Sequence, residues 1–397
     1  MGSLNARTIG IGMVGHAFMG TAHSLGWRNA RSFFAPPLLP RLTALAGRDR
    51  TAATATAERF DWSEVVTDWR DLIARDDIGL IDICAPGDTH AEIAVAALAA
   101  GKHVLCEKPL ANSVAEAEAM AAAAAAAREN GVRSMVGFTY RRVPAVALAR
   151  RLVREGRVGE LRHVRARYLQ DWLTDPAAPL TWRLRRERAG SGALGDIGAH
   201  AVDLAQYLTG EDVTGVAAVT GTFVRERPLP DGGTGTVTVD DTAAFLGRMT
   251  GGALATFEAT RCATGRKNAL RIELNGTLGS LAFDFEDMNV LQFHDATADA
   301  SVRGFTRIQV TEPEHPYIAA WWPPGHGLGY EHAFAHQAAD LLTAVATGDD
   351  PEPSFDDGLR VQRVLAAVEE SAAAGSAWTG IPGAAARTGT PDTEGKP

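Results

Sequence analysis

Two clusters in this sequence carry the side chains needed to move a proton beside a bound substrate. The first is Cys106-Glu107-Lys108-Pro109, directly after the strand-like run His103–Cys106. An ammonium just beyond the C-terminal end of a strand can hydrogen-bond a substrate hydroxyl and make it easier to deprotonate. The second is Gly192-Ala193-Leu194-Gly195-Asp196-Ile197-Gly198-Ala199-His200, where helical spacing sets Asp196 and His200 one turn apart on a shared face. An imidazole accepts a proton near neutral pH, and a neighbouring carboxylate orients it and raises its basicity. Each cluster alone also fits a plainer role: a turn with an exposed lysine, or a capping aspartate beside a satisfied histidine.

A third motif is rich in glycine. The literal G-x-G-x-x-G, Gly10 to Gly15, would cut the first strand short, so the better frame is Gly15-His16-Ala17-Phe18-Met19-Gly20. It follows a full-length strand and opens a helix, whose backbone N–H groups then face a pyrophosphate. Ala17 stands where a second glycine is usual. At the end of the second strand, where a carboxylate normally grips the adenosine ribose, the sequence runs Ala46-Gly47-Arg48-Asp49. Gly47 with Arg48 leans toward a 2′-phosphate and hence NADP; Asp49 serves NAD if the register shifts by two, and Arg48 also reads as a surface residue.

The elements that must hold these groups alternate through the first third. Strands are expected at Arg7–Val14, Leu42–Ala46, Leu80–Cys84, His103–Cys106 and Ser134–Phe138, with helices between them, the longest from Ser113 to about Asn130. That alternation predicts a parallel, doubly wound Rossmann sheet. A helix near Ala145–Glu155 then leads to period-2 strands at His163–Tyr168, Val216–Phe223, Thr242–Met249, Ala253–Thr260, Leu270–Asn275 and Gly279–Phe283. Helices return near Asp196–Leu208 and Glu331–Thr347. The fold class is therefore α/β: an N-terminal Rossmann unit over residues 1–140 and an α+β unit with a mainly antiparallel open sheet over 141–379. Residues 380–397 are expected to form a disordered tail.

Composition removes other classes. A net charge of −9 argues against a nucleic-acid or anionic-membrane surface, and Arg183, Arg185, Arg186 and Arg188 read as a solvated face. Cys84, Cys106 and Cys262 form no disulfide framework, and the start lacks an apolar signal core; a cytoplasmic chain is expected. His332 and His336 have i, i+4 spacing but lack a ligand set, so no metal site is expected, and there is no G-x-S-x-G nucleophile elbow. Trp321 and Trp322 suit either a sugar face or packing.

Taken in order, Gly15–Gly20, Glu107-Lys108-Pro109 and Gly195-Asp196-Ile197-Gly198-Ala199-His200 resemble the glucose–fructose oxidoreductase / inositol dehydrogenase (Gfo/Idh/MocA) family over roughly residues 7–380. Phe138–Ala145, Tyr168–Trp172 and Ser191–Asp196 are most similar to its sugar C3-oxidising branch, the levoglucosan dehydrogenases and their like. The resemblance implies an NAD(P)-dependent oxidoreductase acting on a hydroxyl carbon of a sugar, anhydrosugar, glycoside or inositol. A reductase, an aldose–aldose oxidoreductase with retained cofactor, and a non-enzymatic NADP-responsive binding protein stay open. It implies Lys108 and His200 as the catalytic pair, with Asp196 on substrate or nicotinamide ribose. Gly15, Ala17, Phe18, Met19, Gly20, Gly47, Arg48, Glu107 and Lys108 would contact the cofactor. Tyr140, Arg141, Gln170, Trp172 and Trp182 would line the substrate pocket. A cis peptide before Pro109, and a homodimer or homotetramer formed through the open sheet face, are implied as well.

Overall fold

The computed structural model describes residues 7–383; residues 1–6 and the tail from 384 onward lie outside the described residues. The first half runs β1 (Arg7–Val14), α1 (Phe18–Asn29), β2 (Leu38–Ala46), α2 (Arg50–Phe60), β3 (Glu64–Val66), α3 (Trp69–Ile73), β4 (Leu80–Ile83), α4 (His90–Ala99), β5 (His103–Cys106), α5 (Val114–Arg128) and β6 (Ser134–Val136). All pairings are parallel, in the order β3-β2-β1-β4-β5-β6. Ile11, Met13, Ile81 and Ile83 are fully buried because helices cover both faces, which is why these strands read as continuous apolar runs. Strand order reverses between β1 and β4, and the crevice beyond their C-terminal ends is where such sheets take ligands.

The second half begins with α6 (Pro144–Arg154), β7 (Leu161–Leu169), α7 (Arg186–Ala189) and α8 (Ala199–Thr209). Then come β8 (Val213–Gly221), a small hairpin of β9 (Glu226–Pro228) and β10 (Thr234–Thr236), β11 (Thr242–Met249), β12 (Leu254–Thr260), β13 (Ala269–Gly276), β14 (Gly279–Asp284), β15 (Val290–Asp295) and β16 (Thr306–Gln309). The chain closes with α9 (His332–Thr347), α10 (Phe355–Ala373) and β17 (Thr379–Gly380). Nine strands form one sheet, β16-β15-β14-β13-β7-β12-β11-β8-β17, antiparallel except for the parallel pair β7–β12. Alternation decides its faces: Phe245 and Phe257 point into the core, while Leu246 on the other face is 58 % exposed.

The structure departs from the sequence reading at several points, among them strands β3, β15 and β16, which were not expected. Helix α10 was not expected, although Ser354 and Asp357 form a capping box and Leu359, Val361, Val364, Leu365 and Val368 are buried. Gly380 belongs to a strand paired with β8 and not to the tail. Helix α9 falls inside the range drawn for the second half, yet Leu341 and Leu342 pack in one cluster with Ile9, Met13, Trp27 and Leu45 of the first. A Cβ at Gly26 of α1 would come within 2.9 Å of the Phe334 backbone, so only glycine allows these two helices to approach so closely.

On α9, His336 is fully buried, faces the Arg142 carbonyl through Nδ1 (2.8 Å), and accepts from Trp321 Nε1 through Nε2 (2.7 Å). Burial pushes its pKa down to about 3, so the ring is neutral when folded. The unfolded ring takes up a proton near the ordinary 6.5, so its stabilising contribution is complete above that pH. It falls by about 1.4 kcal/mol per pH unit as the solution is acidified toward the folded pKa. His336→Gln, which keeps a donor and an acceptor but does not titrate, is expected to flatten the slope of Tm against pH between pH 6.5 and 4; an unchanged slope in thermal scans refutes the assignment.

Candidate active site

The glycine loop is built by steric necessity. Gly15 has φ +108°, and a Cβ there would sit 2.6 Å from the Cys84 carbonyl oxygen; at Gly20 it would sit 2.2 Å from the Gly15 oxygen. Gly10 and Gly12, the decoy glycines, lie inside β1 and pack against Asp77 and Ile78. Helix α1 begins at Phe18 with Ala17 as its N-cap, no side chain capping it and no acid in its first turn. Its leading N–H groups are thus left for an anion, and the cradle fits the pyrophosphate of a dinucleotide.

Beyond it lies a cavity of about 430 Å³, bordered by the loops after β1, β4 and β5 and by the start of α8. Ala17, Phe18, Met19, Glu107, Lys108, Tyr140, Gln170, Trp182, Asp196 and His200 all border it, so most of the expected residues converge. Lys108 Nζ donates to the Asp196 carbonyl oxygen (2.7 Å) and lies 3.4 Å from its Oδ1. Asp196 sits in a π-helical turn, Leu194–Gly198, that leads into α8; the Asp240 carboxylate anchors the start of this stretch by accepting from the N–H groups of Gly192 (2.7 Å) and Leu194 (2.8 Å). The peptide before Pro109 is cis, as the resemblance implies.

Electrostatics assigns the charge states. Burial alone would raise the Asp196 carboxyl, but Lys108, Arg261 and Arg183 outweigh it and hold it below the ordinary carboxylate range. His200 is 7 % exposed and ringed by Tyr140, Tyr168 and Phe138. Burial, and then the Lys108 charge, push its pKa well below 6.5, so it stands neutral, and the rise in basicity expected from the Asp196 carboxylate is overturned because burial and the ammonium act in the opposite direction. Burial pushes the Tyr140 hydroxyl up to about 12; it meets Tyr168 Oη at 2.8 Å, which donates to Asn268 (2.6 Å).

Several expected residues fall elsewhere. Arg141 does not border the cavity: it is buried against Asp203 (Nε at 3.0 Å and 3.1 Å) and lies over the Tyr207 ring, so it braces α8 from below. Trp172, 44 % exposed, lies outside the cavity wall, donating to Gln170 Oε1 (3.0 Å) with Arg261 over its ring. Gly47 is buried and Arg48 exposed at the far end of β2, and Asp49 caps α2 by accepting from Ala52 N (3.1 Å), which occupies the alternative ribose-binding carboxylate. Trp321 packs on Phe33, Phe34 and His336 and does not reach the cavity.

The sequence reading missed other groups. Arg183, taken as part of a solvated face, borders the cavity, as does Arg261, whose Nη1 lies 3.7 Å from Asp196 Oδ2. Neither lies in a recognisable motif; only the end of β12 just before Arg261 hinted at the crevice. Beneath the site, His23 Nδ1 meets Asp82 (2.9 Å) and Nε2 meets Glu107 (3.0 Å), while Trp27 donates to Asp82 (2.7 Å). Donor atoms of His23, Asp82 and Cys84 lie within 4.8 Å of one another, as metal ligands would. Both His23 nitrogens already face carboxylates, and burial pushes the Cys84 thiol far up, so a hydrogen-bonded network accounts for the cluster.

Residues 9–138 match the model for an oxidoreductase family with an NAD-binding Rossmann fold, and residues 146–282 match the Gfo/Idh/MocA C-terminal domain. The chain belongs to this oxidoreductase family. The levoglucosan dehydrogenase of Pseudarthrobacter phenanthrenivorans is 42 % identical over 95 % of the chain and 99 % of its own length. The crystal structure of an oxidoreductase domain protein from Kribbella flavida superposes with a TM-score of 0.93 at 65 % identity, covering 95 % of this chain and all of that one. A levoglucosan dehydrogenase solved with NADH and levoglucosan gives a TM-score of 0.90 at 42 % identity, covering 95 % of this chain and 100 % of that one. This family member is an NAD-binding oxidoreductase by its fold and its relatives. No helix among the described residues is long and apolar enough to cross a membrane.

The electrostatic reading predicts a coupling. Lys108→Met removes the charge beside His200 while burial stays, so the His200 pKa is expected to rise part of the way toward 6.5. NMR titration of the imidazole checks this; a pKa unmoved by the substitution would show that the ammonium does not reach the ring.

Proposed function

We propose that this protein is a sugar dehydrogenase that oxidises a secondary hydroxyl carbon, of the C3 type, on a sugar, anhydrosugar, glycoside or inositol. One arrangement carries the reading: Lys108 from the first half meets Asp196 and His200 from the second across one cavity at the mouth of the dinucleotide cradle. A nicotinamide dinucleotide bound there supplies the hydride acceptor. Lys108 donates to the reacting hydroxyl oxygen and stabilises the charge that develops on it. His200, neutral in its buried setting, takes the hydroxyl proton. The Asp196 carboxylate holds the ammonium and accepts from a neighbouring hydroxyl of the sugar or ribose. Tyr140, Gln170 and Trp182 wall the sugar side, and the relatives' printed substrates support a carbohydrate ligand.

Gly47 and Arg48, in place of a carboxylate at the end of β2, favour NADP over NAD. The free cysteines Cys84, Cys106 and Cys262 fit a cytoplasmic setting. The open face of the nine-stranded sheet, with Val219 and Leu246 each 58 % exposed, suits a second copy of the chain, giving a homodimer or homotetramer.

A spectrophotometric panel of NAD and NADP against levoglucosan, inositols, glucose and glucosides is expected to show reduced cofactor accumulating with at least one sugar. Turnover without release of reduced cofactor would move the reading to an aldose–aldose oxidoreductase. Lys108→Ala and His200→Ala are each expected to lower kcat by about 10²–10⁴ with dinucleotide affinity largely kept, and full activity in both removes the assignment. Leu246→Glu is expected to reduce the solution mass measured by light scattering; an unchanged mass excludes this face as the interface.

A further inference from the structure

The end of β2 holds a steric relationship that neither the fold nor the motif requires. The Gly47 N–H donates to the Val66 carbonyl (3.0 Å), which fixes the backbone at the point where ribose-binding carboxylates project. Its φ is outside the left-handed region, so the backbone itself would accept other residues. What excludes them is occupied space. A Cβ at residue 47 would lie 2.5 Å from His16 Nδ1, 3.2 Å from His16 Cε1 and 2.7 Å from Ala53 Cβ. The His16 ring, from the second position of the glycine loop, therefore fills most of the volume a side chain at residue 47 needs, with the Ala53 methyl group of α2 bordering the rest. Its Nδ1 is buried without a hydrogen-bond partner among the described residues, so no bond through that nitrogen sets the ring there.

We propose that His16 and Gly47 form a mutually exclusive pair that selects the dinucleotide. The imidazole shuts out the carboxylate that would bind a ribose 2′-hydroxyl and repel a 2′-phosphate, leaving the exposed Arg48 as the nearest charged side chain in sequence. This deepens the NADP reading and rests on it. The selector acts across two elements: the residue that packs over the end of β2 comes from the loop that cradles the pyrophosphate, so the phosphate loop and the ribose site are specified together. A carboxylate introduced at residue 47 alone meets the ring, and a glycine at residue 16 alone opens space that nothing fills. The joint change removes the larger obstacle and leaves the Ala53 methyl group, which must shift, beside the new carboxylate.

The test is a double-mutant cycle read by dinucleotide titration and by Tm, using the wild type, His16→Gly, Gly47→Asp, and both together. NADH and NADPH Kd values are measured by fluorescence on each. Gly47→Asp alone is expected to weaken both dinucleotides and lower Tm. Adding His16→Gly is expected to restore NADH binding and shift the NADH/NADPH affinity ratio toward NADH by roughly ten- to a hundredfold, the worth of one or two charge-assisted hydrogen bonds. The contact with Ala53 is present in both backgrounds and cancels in the cycle. Gly47→Ala, which adds only the offending atom, covers the case in which the aspartate variant does not fold: its Tm loss should shrink in the His16→Gly background. Equal effects of the residue 47 changes in both backgrounds overturn the pairing. A wild type that prefers NADH while the coupling persists overturns the NADP reading and leaves the pairing in place.

Discussion

A buried ammonium is tolerable only where oxygen atoms replace its lost water, and Lys108 receives them from the opposite half of the chain. Its Nζ donates to the Asp196 carbonyl at 2.7 Å, with the carboxylate close by, and its side chain is 14 % exposed. The rest of the site follows from that bond. Asp196 can offer both oxygens because it sits in a π-helical turn, a local widening that recurs at functional sites. Burial first, and that same charge second, keep His200 neutral four residues later, while the charge holds Asp196 ionised against burial. A neutral imidazole and an ammonium thus border one cavity.

The loop carrying Lys108 is held from below by a second set of charges. Burial would lower the His23 pKa, but Asp82 holds it well above 6.5, so an imidazolium stands between Asp82 and Glu107. Glu107 in turn faces the Lys108 N–H through its other oxygen at 3.3 Å. His23 lies on α1, the helix whose N-terminus forms the dinucleotide cradle, so the cradle and the loop carrying Lys108 are fixed against each other by buried hydrogen bonds. Gly137 belongs to the same arrangement: a Cβ there would come within 2.4 Å of Glu107 Oε1. Networks of this kind are costly unless every member is paired, and these members pair with one another.

The parts legible in the sequence were those with a short-range signature. Strand alternation gave the parallel sheet, the Gly15–Gly20 spacing located the cradle, and Lys108, Asp196 and His200 stood in recognisable local contexts. Residues defined only by long-range packing were not legible. The resemblance implied Arg141 as a pocket residue beside Tyr140, but the short 3₁₀ turn Thr139–Arg142 aims the two side chains apart, one to the cavity and one to Asp203. Arg183 gave no signal and Arg261 only its position after a strand end, since their place depends on how distant loops meet. The location of α9 escaped for a related reason: an apolar helix face announces that it is buried, not which sheet it is buried against.

That placement of α9 and α10 bears on how the cleft can move. If the halves met only at the cavity, they would hinge freely about the link near residue 140. Instead, α9 fills the core beneath β1 and β2, α10 packs between α5 and β8, and one continuous apolar cluster joins Ile81 and Val104 of the first sheet to Val164 and Leu270 of the second. The Val136 N–H also donates to the Pro353 carbonyl at 2.9 Å, tying the last parallel strand to the segment before α10. Opening such a cleft by rigid rotation would expose that shared core, at about 25 cal/mol for each Å² of apolar surface. The shared core thus holds Lys108 of one half and His200 of the other against the same cavity, with little freedom for the two halves to part.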